Sequence, residues 1–360
     1  MDEPALGFNI ESNGDHNGGH NAAELYRAER ALAIGEFLDR YAPSKDKDLL
    51  ADMMVTICRL VSDQADRGDV KLLNTALKEL RYAFKVFAPY QEVRKVSIFG
   101  SSRTPTDAPE YLQADRFARI MRKNHWMVIT GAGDGIMKAG HDGAGRDGSF
   151  GVAIRLPFEQ RTNNVIADDP KLINFKYFFT RKLLFLKEAS AIALFAGGFG
   201  TQDEGFEALV LIQTGKAALV PIVCVDAPGG TYWQRWRSYV ESELLQTGMI
   251  SPEDMNLFRV TDNAQEAADE ILEFYKRYHS SRYVAEKLVI RMNSPISANT
   301  LEMLNDRYSS IVVKGKIEQE ARPLEDEENQ FPTKSRLVFT FDRRHFGILR
   351  QMINDINRAE

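Results

Sequence analysis

From about Val93 to Tyr278 short apolar runs alternate with helical stripes, and that alternation leaves few architectures open to the chain. Val96-Ser97-Ile98-Phe99-Gly100 reads as a strand and 111–123 as the helix after it. A second strand spans 126–130, then a glycine loop opens a helix at about Gly135. Further strands are expected at 150–156, 173–179, 191–195, 220–225 and 257–260, with a helix over 181–189 among the helical stretches between them. Such a pattern calls for a parallel sheet with helices on both faces, a Rossmann-like doubly wound α/β fold. Ligands of such sheets bind beyond the carboxyl ends of the strands, where the glycine loops of this chain lie.

Two flanking regions lack this alternation. Residues 1–22 are polar and glycine-rich, and read as a disordered tail; His16 and His20 could bind a metal, but a flexible polar tail is the commoner case. From Ala22 to Tyr90 the periodicity is helical, with apolar stripes such as Leu49, Met53, Ile57 and Leu60. After Tyr278 a βαββα unit is expected: strands at 288–292, 310–318 and 335–341, helices at 298–308 and 345–356, and an acidic loop at 323–332. The expected layout is a tail at 1–22, a helical region at 23–92, a Rossmann-like α/β domain at 93–280, and a small α+β domain at 281–360 for regulation or oligomerisation.

Composition narrows the function classes. Of the 360 residues 44% are hydrophobic and 27% charged, enough apolar material for a sizeable core. A net charge of −5 argues against general nucleic-acid binding. No apolar run reaches the ~20 residues of a membrane helix, so no membrane partner is expected. Cys58 and Cys224 stand far apart without a metal-ligand spacing, which fits a reducing, cytoplasmic compartment.

Small polar residues gather at three strand ends. Gly100-Ser101-Ser102-Arg103 offers hydroxyls, backbone N–H groups and a guanidinium, although a plain turn would read the same. Thr130-Gly131-Ala132-Gly133-Asp134-Gly135 suggests a dinucleotide fingerprint but has the spacing G-x-G-x-G, and no acidic residue ends the next strand. That strand ends at Arg155, which could meet a 2′-phosphate. The third, Gly197-Gly198-Phe199-Gly200-Thr201, ends an apolar run and opens a helix that carries Glu204. Bare N–H groups, the positive end of the helix dipole and the Thr201 hydroxyl make an anion cradle there. Arg181 and Lys182 begin the preceding helix, where cations oppose the dipole and so point to a ligand. His125 and His141 lack a nucleophile context and read as structural, as does the turn Gly229-Gly230-Thr231.

Arg181-Lys182 followed by Gly197-Gly198-Phe199-Gly200-Thr201 and Glu204 resembles the paired signature of the Lonely Guy (LOG) family, an Arg-Lys helix start and a Pro-Gly-Gly-x-Gly-Thr-x-x-Glu loop. The sixteen-residue step from Arg181 to Gly197 needs no gap. The loops at Gly100 and Gly131 are also similar to the family's, and the resemblance covers roughly 93–280. Family members, formerly mislabelled lysine decarboxylases, cleave nucleoside 5′-monophosphates such as AMP to free base and ribose 5-phosphate. The resemblance implies Glu204 and Arg181 as catalytic residues, with Arg181 either positioning substrate or stabilising the departing base. It implies phosphate and ribose contacts from Gly197, Gly198, Phe199, Gly200, Thr201, Gly100, Ser101, Ser102, Gly131, Gly133 and Lys182. No cofactor or metal is implied, and a homodimer or higher homo-oligomer is.

The chain departs from the pattern at Ala196, where the family has proline, and at Phe185, where it often has methionine. Asp203 adds a second carboxylate, but neighbours on a helix point about 100° apart. The extra terminal regions make this a long variant, closer in outline to bacterial nucleotide nucleosidases than to the small plant-type enzymes. Two alternatives compete: a non-catalytic carrier of a nucleotide or phosphorylated cofactor on the same fold, and an oxidoreductase using a phosphorylated nicotinamide.

Overall fold

The computed structural model describes residues 18–154, 162–327 and 330–359. Arg155, and the part of the expected tail before Gly18, lie outside them. The chain divides into two compact units, up to Thr75 and from Ala76. The first holds α1 (Gly18–Tyr41) and α2 (Lys47–Ser62), and the division falls within α3 (Arg67–Phe87). Residues 18–22, expected in the tail, are the first turn of α1. In this unit Ile34 and Leu38 are buried, whereas Leu49, Met53 and Ile57 of the α2 stripe are exposed.

The second unit begins inside α3, so the expected boundary at residue 92 is not where the units part. The reason is packing: Ala83 and Phe87 are buried in the sheet's core, and the Phe87 ring stacks on Phe150 at 4.4 Å. From here strands and helices alternate in the order β1 (Lys95–Phe99), α4 (Pro109–Lys123), β2 (Met127–Thr130), α5 (Ile136–Ala144), β3 (Ser149–Ile154), β4 (Leu172–Phe175) and α6 (Phe178–Lys187). They continue as β5 (Ala191–Phe195), α7 (Phe199–Gln213), β6 (Ile222–Val225), α8 (Tyr232–Tyr239), β7 (Phe258–Thr261) and α9 (Ala264–Phe274). The seven strands form one parallel sheet in the order β4-β3-β2-β1-β5-β6-β7. This is the Rossmann-like doubly wound α/β fold that the alternation requires. Every residue of β1, β2 and β5 is buried, as strands covered on both faces must be.

Strand order reverses between β1 and β5, so the loops after these two strands leave the sheet on either side of one crevice, the usual ligand position in such sheets. One expected boundary moves: the run 173–179 suggests strand, but β4 stops at Phe175 and α6 already starts at Phe178. Arg181 therefore lies on the first turn of α6 rather than at its start. Glu79 explains the early start. Its carboxylate accepts hydrogen bonds from the Lys176 N–H (2.6 Å) and the Thr180 hydroxyl (2.7 Å), a negative charge at the helix's positive end.

The C-terminal part is ββαββα rather than βαββα: β8 (Tyr278–Val284), β9 (Lys287–Met292), α10 (Ala298–Arg307), β10 (Val312–Glu320), β11 (Ser335–Phe341) and α11 (Phe346–Arg358). Its antiparallel sheet runs β10-β11-β9-β8. The missed strand β8 contains Ser280, Ser281 and Arg282, and its hairpin turn is Ala285-Glu286, without the Asn-Gly or Asp-Gly that announces a tight turn. Leu288, Ile290 and Met292 of β9 share a core with residues of the parallel sheet, so the two sheets belong to one compact unit. The acidic loop is more than a solvated link. Glu327 is fully buried, 2.8 Å from both Arg291 and Arg336. Burial opposes its charge, but hydrogen bonds from Arg336, the Leu324 N–H and Arg291 hold its carboxyl below the usual range.

Candidate active site

Three loops meet at the crevice. The Ser101 N–H donates to the Ala196 carbonyl (3.1 Å), and the Ser101 carbonyl accepts from the Ile136 N–H (3.0 Å). The loop after β1 thus bridges the loops after β2 and β5. Gly135 adopts φ +61, and a Cβ there would lie 2.2 Å from the Ser101 carbonyl oxygen, so only glycine fits this junction. Beneath the second loop, Asn163 donates to the Ala132 and Gly133 carbonyls at 3.0 and 2.9 Å. His141 sits between Asn163, Thr130 and the Phe150 carbonyl, and its burial pushes the imidazole pKa down. His141 is a structural brace.

Around the junction lies a cavity of about 690 Å³. Most of the expected site residues line it: Gly100, Ser101, Ser102, Gly131, Gly133, Arg181, Gly198, Phe199, Gly200, Thr201 and Glu204. Gly198 occupies the N-cap of α7, and no side chain caps that helix. The Thr201 N–H turns back to the Gly198 carbonyl (3.1 Å), so the first-turn N–H groups that the helix itself leaves unpaired are those of Phe199 and Gly200. A Cβ on Gly198 or Gly200 would meet nothing within 4 Å. Neither glycine is required by packing, and neither has the left-handed backbone that favours glycine. What their missing side chains leave is free space at a helix N-terminus.

Gly197 and Lys182 stand outside the lining. A Cβ on Gly197 would meet Thr201 Oγ1 at 2.1 Å, so this glycine closes the turn. Its carbonyl accepts a hydrogen bond from the Tyr232 hydroxyl (2.6 Å), which in turn accepts one from Gln202 (2.6 Å). No sequence signal marks Tyr232, because the contact joins loops 35 residues apart. Lys182 turns from the cavity to α7, with Nζ 2.7 Å from Asp203, 2.5 Å from Glu207 and 3.8 Å from Glu204.

Arg181 and Glu204 provide the charged wall. Burial pushes the Glu204 carboxyl pKa up to about 7, against the pull of Lys182 and Arg181 and with help from Glu207 and Asp203. Burial lowers the Arg181 pKa, and Glu204 raises it. The guanidinium lies 5.2 Å from the Phe178 ring and 5.5 Å from the Phe185 ring. Its Nε is buried with no hydrogen-bond partner among the described residues. This donor is shut in near the two rings without a protein partner, while Arg181 itself lines the cavity. The remaining lining includes Met137, Ile154, Phe178 and Phe185, apolar surface suited to a flat ring. Sequence reasoning did not assign these side chains to the site, since their spacing is that of ordinary core residues.

The arrangement combines an anion cradle, a buried carboxylate that titrates near neutrality, a guanidinium and an apolar wall. Among the described residues no group of three or more His, Cys, Asp and Glu side chains is placed to hold a metal ion.

No curated protein matches the chain. Solved structures similar to it include the X-ray structure of TM1055, with 19% identity, 50% of this chain and 99% of that one covered, and a TM-score of 0.37. The molybdenum cofactor carrier protein of Chlamydomonas reinhardtii is 16% identical over 50% of this chain and 98% of its own, with a TM-score of 0.34. The molybdenum cofactor binding protein of Rippkaea orientalis is 19% identical over 50% and 94%, at 0.32. Residues 134–271 match the family model described as "Possible lysine decarboxylase", a span that includes Arg181, the glycine loop after β5 and Glu204. That match, over less than half of the chain, falls on the stretch whose motifs resemble the Lonely Guy (LOG) family.

Proposed function

We propose that the chain hydrolyses the N-glycosidic bond of nucleoside 5′-monophosphates, AMP among them, releasing free base and ribose 5-phosphate. One observation carries this reading: a buried, near-neutral carboxylate, Glu204, shares a cavity with an uncapped helix N-terminus one turn away. The first turn of α7 and Thr201 hold the 5′-phosphate, which brings the ribose to Glu204. As the bond from C1′ to the base nitrogen breaks, positive charge develops on the ring carbon and oxygen, by analogy with glycoside cleavage. Ionised Glu204 stabilises that charge and takes a proton from the attacking water, whose oxygen bonds to C1′. The base nitrogen receives the bonding electron pair and a proton from solvent, and Glu204 releases the proton it took to solvent, which restores its ionised form. Arg181 donates hydrogen bonds to the substrate and offsets the charge of Glu204.

Phe199 is 97% exposed at the rim of the cavity, and Phe179, Leu183 and Val210 are exposed on α6 and α7. Apolar surface of this kind supports a second copy packed beside the site, hence a homodimer or larger assembly. The described helices include none long and apolar enough to cross a membrane. The free thiols of Cys58 and Cys224 suit the reducing cytoplasm.

The test is incubation of the wild-type protein and Glu204→Gln with each nucleoside 5′-monophosphate, scored for free base and ribose 5-phosphate. Cleavage by the wild type, with binding but no cleavage by Glu204→Gln, is the expected outcome. A wild type that binds monophosphates and never releases base would make the protein a carrier.

A further inference from the structure

Lys182 is adjacent in sequence to Arg181 and has a different destination. Its side chain, 16% exposed, meets Asp203, Glu204 and Glu207 on α7. The three acids occupy one turn of helix, where like charges repel. The short contacts, 2.7 and 2.5 Å, go to the flanking Asp203 and Glu207. Glu204 lies at 3.8 Å, too far for a hydrogen bond and close enough for a strong field. Its two oxygens therefore remain free for water and substrate while an ammonium group offsets its charge.

We propose that Lys182 is a positioning residue, which gathers the carboxylates of α7 and sets the charge state of Glu204, and is not a substrate ligand. The inference rests on the reading of Glu204 as the group that meets the ribose. The charged groups around Glu204 are Arg181 and Lys182 from α6 and Asp203 and Glu207 from its own helix. Arg103, on the loop after β1, lines the same cavity and is exposed. Of the two α6 cations that act on Glu204, Arg181 lines the cavity and Lys182 does not, so Lys182 is the resident counter-charge. Removing it leaves three acids facing one guanidinium. Burial and repulsion then both favour protonated Glu204.

The experiment follows the Glu204 carboxyl directly, by carbon NMR of full-length protein labelled at glutamate carboxyls, with Glu204→Gln assigning the signal. In Lys182→Gln the titration midpoint should rise by about 1 to 3 pH units, the range for loss of a neighbouring opposite charge. In Lys182→Arg it should stay near that of the wild type. The affinity for ribose 5-phosphate, measured by calorimetry above both midpoints, should change less than about twofold in Lys182→Gln, against the tenfold that a lost charged contact of ~1.4 kcal/mol gives. Lys182→Met should move the midpoint up as Lys182→Gln does, and it decides the matter should Lys182→Gln not fold. An unmoved midpoint overturns the proposal, and so does a tenfold loss of ribose 5-phosphate affinity without a titration shift, which would make Lys182 a ligand. A wild type that cleaves no monophosphate defeats the hydrolase reading alone, because the Glu204 midpoint still judges Lys182.

Discussion

The glycine loop after β2 and the glycine loop after β5 look alike in sequence, yet Gly135 of the first and Gly198 and Gly200 of the second have opposite surroundings. In the first, space is short: Gly135 has positive φ and abuts the Ser101 carbonyl, and a Cβ on Gly131 would meet the Met137 sulfur at 2.7 Å. The carbonyls of that loop are held from below by Asn163. In the second, Gly198 and Gly200 face open space at an uncapped helix start. Gly135 is scaffold, as Gly197 is in the second loop, whereas Gly198 and Gly200 leave open space that the proposed function fills with a phosphate. A glycine pattern alone does not distinguish them, whereas the surroundings of each absent Cβ do.

Substitutions should separate the two loops. The largest effect is expected from Gly135→Ala, which combines a disfavoured backbone with a 2.2 Å overlap on the Ser101 carbonyl. It should cost about 3 kcal/mol or more in urea unfolding, since the backbone on both sides must shift. Gly198→Ala should leave stability within about 0.5 kcal/mol of the wild type, while monophosphate affinity falls. A Gly198→Ala protein that unfolds early would erase the contrast.

Glu204→Gln tests what the open space is for. A buried acid whose pKa is raised in the folded state holds its proton there when the unfolded chain has already released it. Stability therefore falls as pH rises from about 4.5 to about 7, the ordinary and raised values. Replacing the group by a neutral amide should recover up to about 3 kcal/mol above pH 7 and little below pH 5, read from denaturant midpoints across pH. The same titration should appear in wild-type kcat/KM, which should rise through about pH 7 as the carboxylate forms. A profile that falls through pH 7 would assign Glu204 the role of acid instead.

Smaller effects are expected where a side chain only holds the site in place. Glu79→Gln removes the charge that accepts the Lys176 N–H and Thr180 hydroxyl at the start of α6. Loss of such a cap costs about 1 kcal/mol, and kcat should drop severalfold because Arg181 rides on that turn. Tyr232→Phe frees the Gly197 carbonyl and Gln202. It should raise KM for monophosphates a few-fold, with about 1 kcal/mol of loop ordering lost. An unchanged KM would show that the loop holds its shape unaided.

Much of the parallel sheet was legible because its strands are continuous apolar runs bounded by glycine and helix signals. Ala191–Phe195 is the same in sequence and structure. Strand β8 was not legible, since Ser280, Ser281 and Arg282 interrupt any apolar alternation. In the site, the strand-end loops and the helix-borne Glu204 were visible as local patterns. The different destinations of Arg181 and Lys182 were not, because they depend on which way α6 is rotated against α7. Tyr232 and Glu79 reach the site through contacts separated by 35 and about 100 residues, which no local window contains.

The contrast between the loops is tested most directly by calorimetric titration of wild type and Gly198→Ala with a nucleoside 5′-monophosphate and with the nucleoside lacking the phosphate. If the open loop holds the phosphate, the wild type should prefer the monophosphate by at least tenfold, about 1.4 kcal/mol. Gly198→Ala should lose that preference while keeping its Tm. A variant that keeps the full preference, or a wild type that binds both ligands equally, would contradict the assignment.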